Sequence, residues 1–209
     1  MRRALVGSSG WSYPSWRPGF YPAGSRTDEW LRLYAERLPA VELNASGYRL
    51  PPAGQFASWA AQVPEGFRFA VKAPRLVHGR PEVVAERVTG LGDRLGCVRV
   101  VVEGRRDDAL LERLQAAFAG TRLALDLRDE SWAEADLAPG VVRVGDWEST
   151  EGWHYLRFRE PPYDEDALTA IASRLGPLVG SGADVFAFFR HEDEPTAPLT
   201  ALRLLELLR

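Results

Sequence analysis

The chain has 209 residues, 45% hydrophobic and 26% charged, the balance of a single soluble domain that needs no disulfide or metal staple. A net charge of −3 excludes a surface that attracts nucleic acid everywhere, and one cysteine excludes an internal disulfide framework. The short apolar run before Gly7 excludes a signal peptide, and no later run reaches the ~18 residues of a membrane span, so the expected location is the cytoplasm with no membrane partner.

In chain order, Ala4-Leu-Val-Gly-Ser-Ser-Gly10 reads as a first strand running into a glycine-serine turn. Trp11, Tyr13, Trp16, Phe20 and Tyr21 follow in a loop, either as a lid packed on the core or as a platform for a sugar ring or base. Thr27 or Asp28 caps a helix through Leu38. Ala40-Val-Glu-Leu-Asn44 is strand two, with Glu42 and Asn44 on the face opposite Val41 and Leu43 and with Tyr48 on the loop beyond. A short helix lies near Ala53 to Gln62, and Phe67 to Lys72 forms strand three, stopped by Pro74.

A loop with Arg75, His78 and Arg80 leads to a helix from Pro81 to Leu95. Strand four is Cys97 to Glu103, with Cys97 read as a small core residue, and a helix spans Asp107 to Ala119. Arg122 to Arg128 is strand five, alternating between leucines and the set Ala124, Asp126 and Arg128. Strand six, Val141 to Asp146, passes almost without helix into strand seven, Trp153 to Phe158. A helix from Asp164 to about Val179, strand eight from Asp184 to His191, and a helix from about Pro195 to Leu208 complete the chain.

Eight strands separated mostly by helices predict an α/β fold with a parallel sheet. The count of eight favours one compact (β/α)8 TIM-type barrel domain over residues 1–209, with helices five and six shortened, over an open doubly wound sheet.

In a barrel the strands' C-terminal ends form the active face. Alternation aims Glu42, Asn44, Lys72, Asp126, Arg128 and Arg157 at the axis, where charges are costly unless paired or offered to a ligand. Internal pairing would join Glu42 to Lys72 and Asp126 to Arg128. If Arg159 and Arg190 also point inward, cations outnumber carboxylates and a small anionic ligand is expected.

The basic residues sharpen this expectation. Lys72 is the one lysine beside 25 arginines, as though a compact, titratable ammonium were needed there. Glu42 and Asp126 are candidates for acid/base work of hydrolase or isomerase type, with pKa values pushed apart. Lys72 is a candidate Schiff-base nucleophile or phosphate contact. Backbone N–H groups near Ser8 and Ser9 offer a weak oxyanion site. Trp11, His78, Trp132, Tyr163 and Arg190 fall on loops at the same face as candidate ligand contacts. His154 reads as structural, and His191 joins His78 as a candidate acid/base group. The three histidines show no metal-ligand spacing, and no cofactor is expected. Two rival readings are a nucleic-acid module stacking bases on Trp11, Trp16 and Tyr21, and a scaffold with an internally paired polar core.

Several stretches together resemble the YecE-like family, domain of unknown function 72. They include Gly7-Ser-Ser-Gly-Trp-Ser-Tyr-Pro-Ser-Trp16, Val41-Glu-Leu-Asn44 with Tyr48-Arg-Leu-Pro51, and Phe67-Arg-Phe-Ala-Val-Lys-Ala-Pro-Arg75 with His78. Later pieces are Arg128 with Ser131-Trp132, Tyr155-Leu-Arg157 with Tyr163, and Val185-Phe-Ala-Phe-Phe189 with Ala201. The resemblance implies a TIM-type barrel and no settled activity. The chain departs from the family pattern at Gly47, Asp126, Arg159-Glu160 and Arg190-His191.

Overall fold

A computed structural model describes residues 4–44 and 50–209. Strands β1 (Ala4–Ser8), β2 (Ala40–Leu43), β3 (Arg68–Lys72) and β4 (Leu95–Val102) precede β5 (Leu123–Leu127), β6 (Val141–Arg143), β7 (Trp153–Phe158) and β8 (Asp184–Phe189). Helices α1 (Trp30–Ala35), α2 (Ala53–Ala61), α3 (Pro81–Val88) and α4 (Asp108–Ala117) follow the first four strands in turn. Helices α5 (Glu165–Ser181) and α6 (Thr196–Leu207) follow β7 and β8. After β5 comes only a 3-10 turn at Glu130–Trp132, and among the described residues β6 runs to β7 without a helix.

Pairing between the strands is parallel, in two sheets of order β1-β8-β7 and β2-β3-β4-β5-β6. The expectation of one closed barrel is therefore met in part: the fold is α/β with parallel strands, and the sheet is interrupted twice. Across the interruptions run two isolated bridges, Ser9 to Glu42 and Val144 to Tyr155.

The first interruption has a visible cause. Tyr34 of α1 inserts its hydroxyl between β1 and β2, accepting the Ser8 N–H at 2.8 Å and lying 3.2 Å from the Ala40 carbonyl as donor. A side chain thus occupies positions that ladder hydrogen bonds would fill. Gly7 permits the close approach, since a Cβ there would lie 2.0 Å from the Ala40 oxygen and 2.9 Å from the Tyr34 hydroxyl.

Strands buried on both faces separate two apolar clusters. The larger packs the helices on residues such as Val41, Leu43, Phe69, Val71, Val98 and Val100. The other draws on every strand, through residues such as Leu5, Ala40, Ala70, Cys97, Ala124, Val142, Tyr155 and Phe186. Trp16, Phe20 and Tyr21 are buried in the larger cluster, and Tyr21 stacks on Trp30 at 5.4 Å. This agrees with the lid reading of the aromatic loop and removes Trp16 and Tyr21 as base-stacking surfaces. No helix among the described residues is long and apolar enough to cross a membrane.

Candidate functional site

The site begins with an arginine in the middle of β4. Arg99 stands beside Lys72 of β3 and Ala124 of β5 in the parallel register, so two cations are neighbours on adjacent strands. Such neighbours repel unless carboxylates stand close by, and two do. Arg99 Nη1 donates to Glu42 Oε2 at 3.2 Å, while Nε donates to Asp126 Oδ2 at 3.0 Å and Nη2 donates to the same oxygen. Arg99, Glu42 and Asp126 are all buried.

Each carboxylate gathers further partners. Glu42 Oε2 accepts from the Tyr155 hydroxyl at 2.6 Å and from Arg157 Nε at 2.9 Å. Asp126 is held by Arg128 Nε at 2.7 Å and by Arg159 Nη2 at 2.7 Å. Lys72, half-buried, acts on both carboxylates electrostatically. The expected Asp126–Arg128 pair is thus present, and among the described residues Glu42 forms ion pairs with Arg99 and Arg157.

Five cations, Lys72, Arg99, Arg128, Arg157 and Arg159, therefore surround two carboxylates. Burial alone would raise the Glu42 carboxyl, but Arg157, Arg99 and the Tyr155 hydroxyl outweigh it and hold the pKa below the ordinary value. Asp126 is likewise lowered, with Arg99, Arg159 and Arg128 overcoming burial. Both carboxyls are thus shifted the same way, where acid/base work by the pair would need their values pushed apart. Lys72 is shifted downward by burial and by Arg99 against the pull of Glu42, which loosens its proton.

Three buried polar atoms here have no hydrogen-bond partner among the described residues: Glu42 Oε1, Asn44 Oδ1 and Arg157 Nη1. Orphaned buried groups are rare because each forfeits its hydration. A cavity of about 670 Å3 opens beside them, lined in part by Trp11, Tyr13, Asn44, Trp59 and His191. Tyr13 and His191 feel the charges of Glu42 and Arg157, so cavity and cluster adjoin. Burial, then Glu42, push the Tyr13 hydroxyl up to about 12, while burial, Arg157 and Arg190 lower His191.

Other candidates make their hydrogen bonds and packing contacts outside the cluster. His78 Nε2 donates to the Val101 carbonyl at 2.9 Å, and buried Trp132 donates to the Gly104 carbonyl at 2.8 Å. Tyr163 packs on Phe158 and Phe189, and its hydroxyl accepts the Glu160 N–H at 3.0 Å. These contacts are with groups other than the charged centre, although Tyr163 feels the charge of Arg157. Arg190 is exposed just past β8. Tyr48 lies outside the described residues. The oxyanion site at Ser8 and Ser9 is also corrected, because their N–H groups donate to the Tyr34 hydroxyl and the Phe189 carbonyl.

Sequence reading missed Arg99 and Tyr155 as members of the site. The available signal was a lone arginine inside Cys97-Val-Arg-Val-Val-Val102, since a charge in a strand buried on both faces needs a buried counter-charge. A second cavity, about 620 Å3, opens at the opposite strand ends around Leu5, Arg68, Leu95, Arg122 and Asp184. There Arg122 pairs with Asp184 at 2.7 Å and Arg68 donates to the carbonyls of Glu65 and Phe67. Arg94, also on its wall, keeps a buried Nε without a hydrogen-bond partner among the described residues. Among the described residues no group of three or more His, Cys, Asp or Glu is placed to hold a metal ion.

A family model described as "Protein of unknown function DUF72" matches residues 5–209. UPF0759 protein YunF of Bacillus subtilis (strain 168) is 35% identical over 68 residues, a match spanning 32% of this chain and 23% of YunF. Two crystal structures of a DUF72 family protein, EF0366 of Enterococcus faecalis V583, are similar in fold. One has a TM-score of 0.73 at 18% identity, covering 88% of this chain and 95% of its own. The other has a TM-score of 0.77 at 17% identity, covering 98% of this chain and 94% of its own.

Proposed function

The chain belongs to the DUF72 family of proteins of unknown function, and from that premise we propose that it binds a small anionic, phosphorylated ligand at the C-terminal ends of its strands. The observation that carries this is a surplus of cations over carboxylates in the cluster that holds Arg157 Nη1, a buried donor with no hydrogen-bond partner among the described residues. Anions meet such a donor with oxygen acceptors, and guanidinium groups match phosphate in geometry and charge.

In this reading Lys72, Arg128, Arg157 and Arg159 face the anion, while Arg99 is committed to Glu42 and Asp126. The two sheets act as one (β/α)8-type ring, a view supported by the Ser9–Glu42 and Val144–Tyr155 bridges and by an apolar cluster fed from every strand. The protein is placed in the cytoplasm as part of the same proposal. Any chemistry falls to Lys72, whose loosened proton suits a base or a carbonyl nucleophile.

Thermal melting with inorganic phosphate and phosphate monoesters tests the reading. A ligand at ~100 times its Kd adds about 2.7 kcal/mol, which at this chain length raises Tm by roughly 5–11 °C. The shift is expected in the wild type and lost in Lys72→Ala. A flat response across phosphate compounds would overturn the reading and favour the internally paired scaffold.

A further inference from the structure

Where cavity and cluster adjoin stand groups of another kind, of which Asn44 lines the cavity and Glu42 belongs to the cluster. Asn44 Oδ1 and Glu42 Oε1 are both acceptors, both buried and both without a hydrogen-bond partner among the described residues. They stand two residues apart, Glu42 on β2 and Asn44 directly after its last residue, Leu43. A phosphate or carboxylate brings acceptors of its own, which can serve Arg157 Nη1 but not these two oxygens. The group they need is a donor, and a hydroxyl supplies one while still accepting from its surroundings.

His191 adds a donor at the cavity's outer edge. Its backbone N–H donates to Ser9 Oγ at 2.9 Å, and the same oxygen lies 3.2 Å from His191 Nδ1. The tautomer that suits the cavity is the one in which the serine hydroxyl donates to Nδ1. The neutral imidazole then carries its proton on Nε2. Stacking on Tyr13 at 4.7 Å holds the ring in place. Trp11 and Trp59, packed edge to face at 5.5 Å, give the cavity an apolar wall of the kind that covers a ring face.

We infer that this cavity seats the hydroxyl-bearing ring of a phosphorylated sugar, with Asn44 Oδ1 and Glu42 Oε1 accepting from ring hydroxyls and His191 Nε2 donating to one. The inference rests on the anion reading above, since the phosphate it assumes lies on the adjoining cations.

Isothermal titration separates the two ideas. The probes are ribose 5-phosphate, glucose 6-phosphate and ethyl phosphate, the last keeping the phosphate monoester and lacking hydroxyls and ring. The wild type is expected to bind at least one sugar phosphate about tenfold or more tighter than ethyl phosphate. Asn44→Ala should remove most of that preference and leave ethyl phosphate binding within about twofold. If Asn44→Ala loses its folded circular dichroism spectrum, His191→Ala serves in its place, with a loss of about fivefold confined to the sugar phosphates. Equal wild-type affinity for all three phosphates overturns the inference while the anion reading stands. Absence of binding by any of them overturns the anion reading and this inference with it.

Discussion

Arg99 and Glu42 sit on strands separated by β3, and Arg99 Nη1 reaches the Glu42 carboxylate at 3.2 Å with both side chains almost fully buried. The same guanidinium holds Asp126 on the far side, so one residue ties β2, β4 and β5 through their polar faces. Removing one member of such a group strands the others without counter-charge in a poorly solvated interior.

Arg99→Leu is therefore expected to destabilise the fold by about 3–5 kcal/mol. Urea denaturation of the variant and wild type checks this, read as a lower midpoint at unchanged slope. A loss under about 1 kcal/mol would mean that the remaining arginines re-pair the carboxylates.

The pH dependence follows from the lowered Glu42 and Asp126 carboxyls. A carboxyl whose folded pKa lies below its unfolded value contributes stability that is complete above the unfolded value, ~4, and is lost as pH falls through the folded one. Stability from this source should hold from pH 7 to about 5 and decline below about 4. In Glu42→Gln the acid decline should be shallower, and denaturation midpoints collected against pH test it.

Lys72 is the single lysine of the chain, and its proton is loosened by burial and by Arg99. An amine acylating reagent should modify it with a pH midpoint below the ~10.4 of a free lysine. Peptide mapping assigns the label without ambiguity, because the other amine is the chain terminus. Added phosphate should slow the modification. A midpoint at or above the free value would remove Lys72 as the reactive amine.

Tyr34→Phe tests the interruption between β1 and β2. Losing the hydroxyl leaves the Ser8 N–H and the Ala40 carbonyl short of a buried partner, at a cost of about 1–3 kcal/mol. Hydrogen exchange should quicken at Ser8 and at Gly10, whose N–H donates to Glu42 across the same seam. Exchange unchanged at both amides would show that the strands close over the gap.

Much of the architecture was open to sequence reasoning, because it depends on local pattern. Alternation and turn residues place eight strands, and the sparse sequence between β5 and β7 shows where helices are missing. Alternation also put Glu42, Asn44, Lys72, Asp126 and Arg157 on one side of their strands, since side-chain direction in a strand follows residue parity. Partner choice is a different matter. Arg99 was hidden because valines flank it on both faces of β4, so parity alone named no polar side. The pairing of Glu42 with Arg157 and Tyr155 joins residues more than a hundred positions apart, which only the closing of β7 toward β2 decides. The pKa directions depend on those distances too, and they lower both carboxyls where residue type suggested values pushed apart. Tyr34 teaches the same lesson: a tyrosine on a helix face looks like core, and three-dimensional proximity alone makes its hydroxyl a substitute for strand pairing. Residue order determines which groups face inward, while the charge each of them carries and the partner it meets are set by tertiary distance.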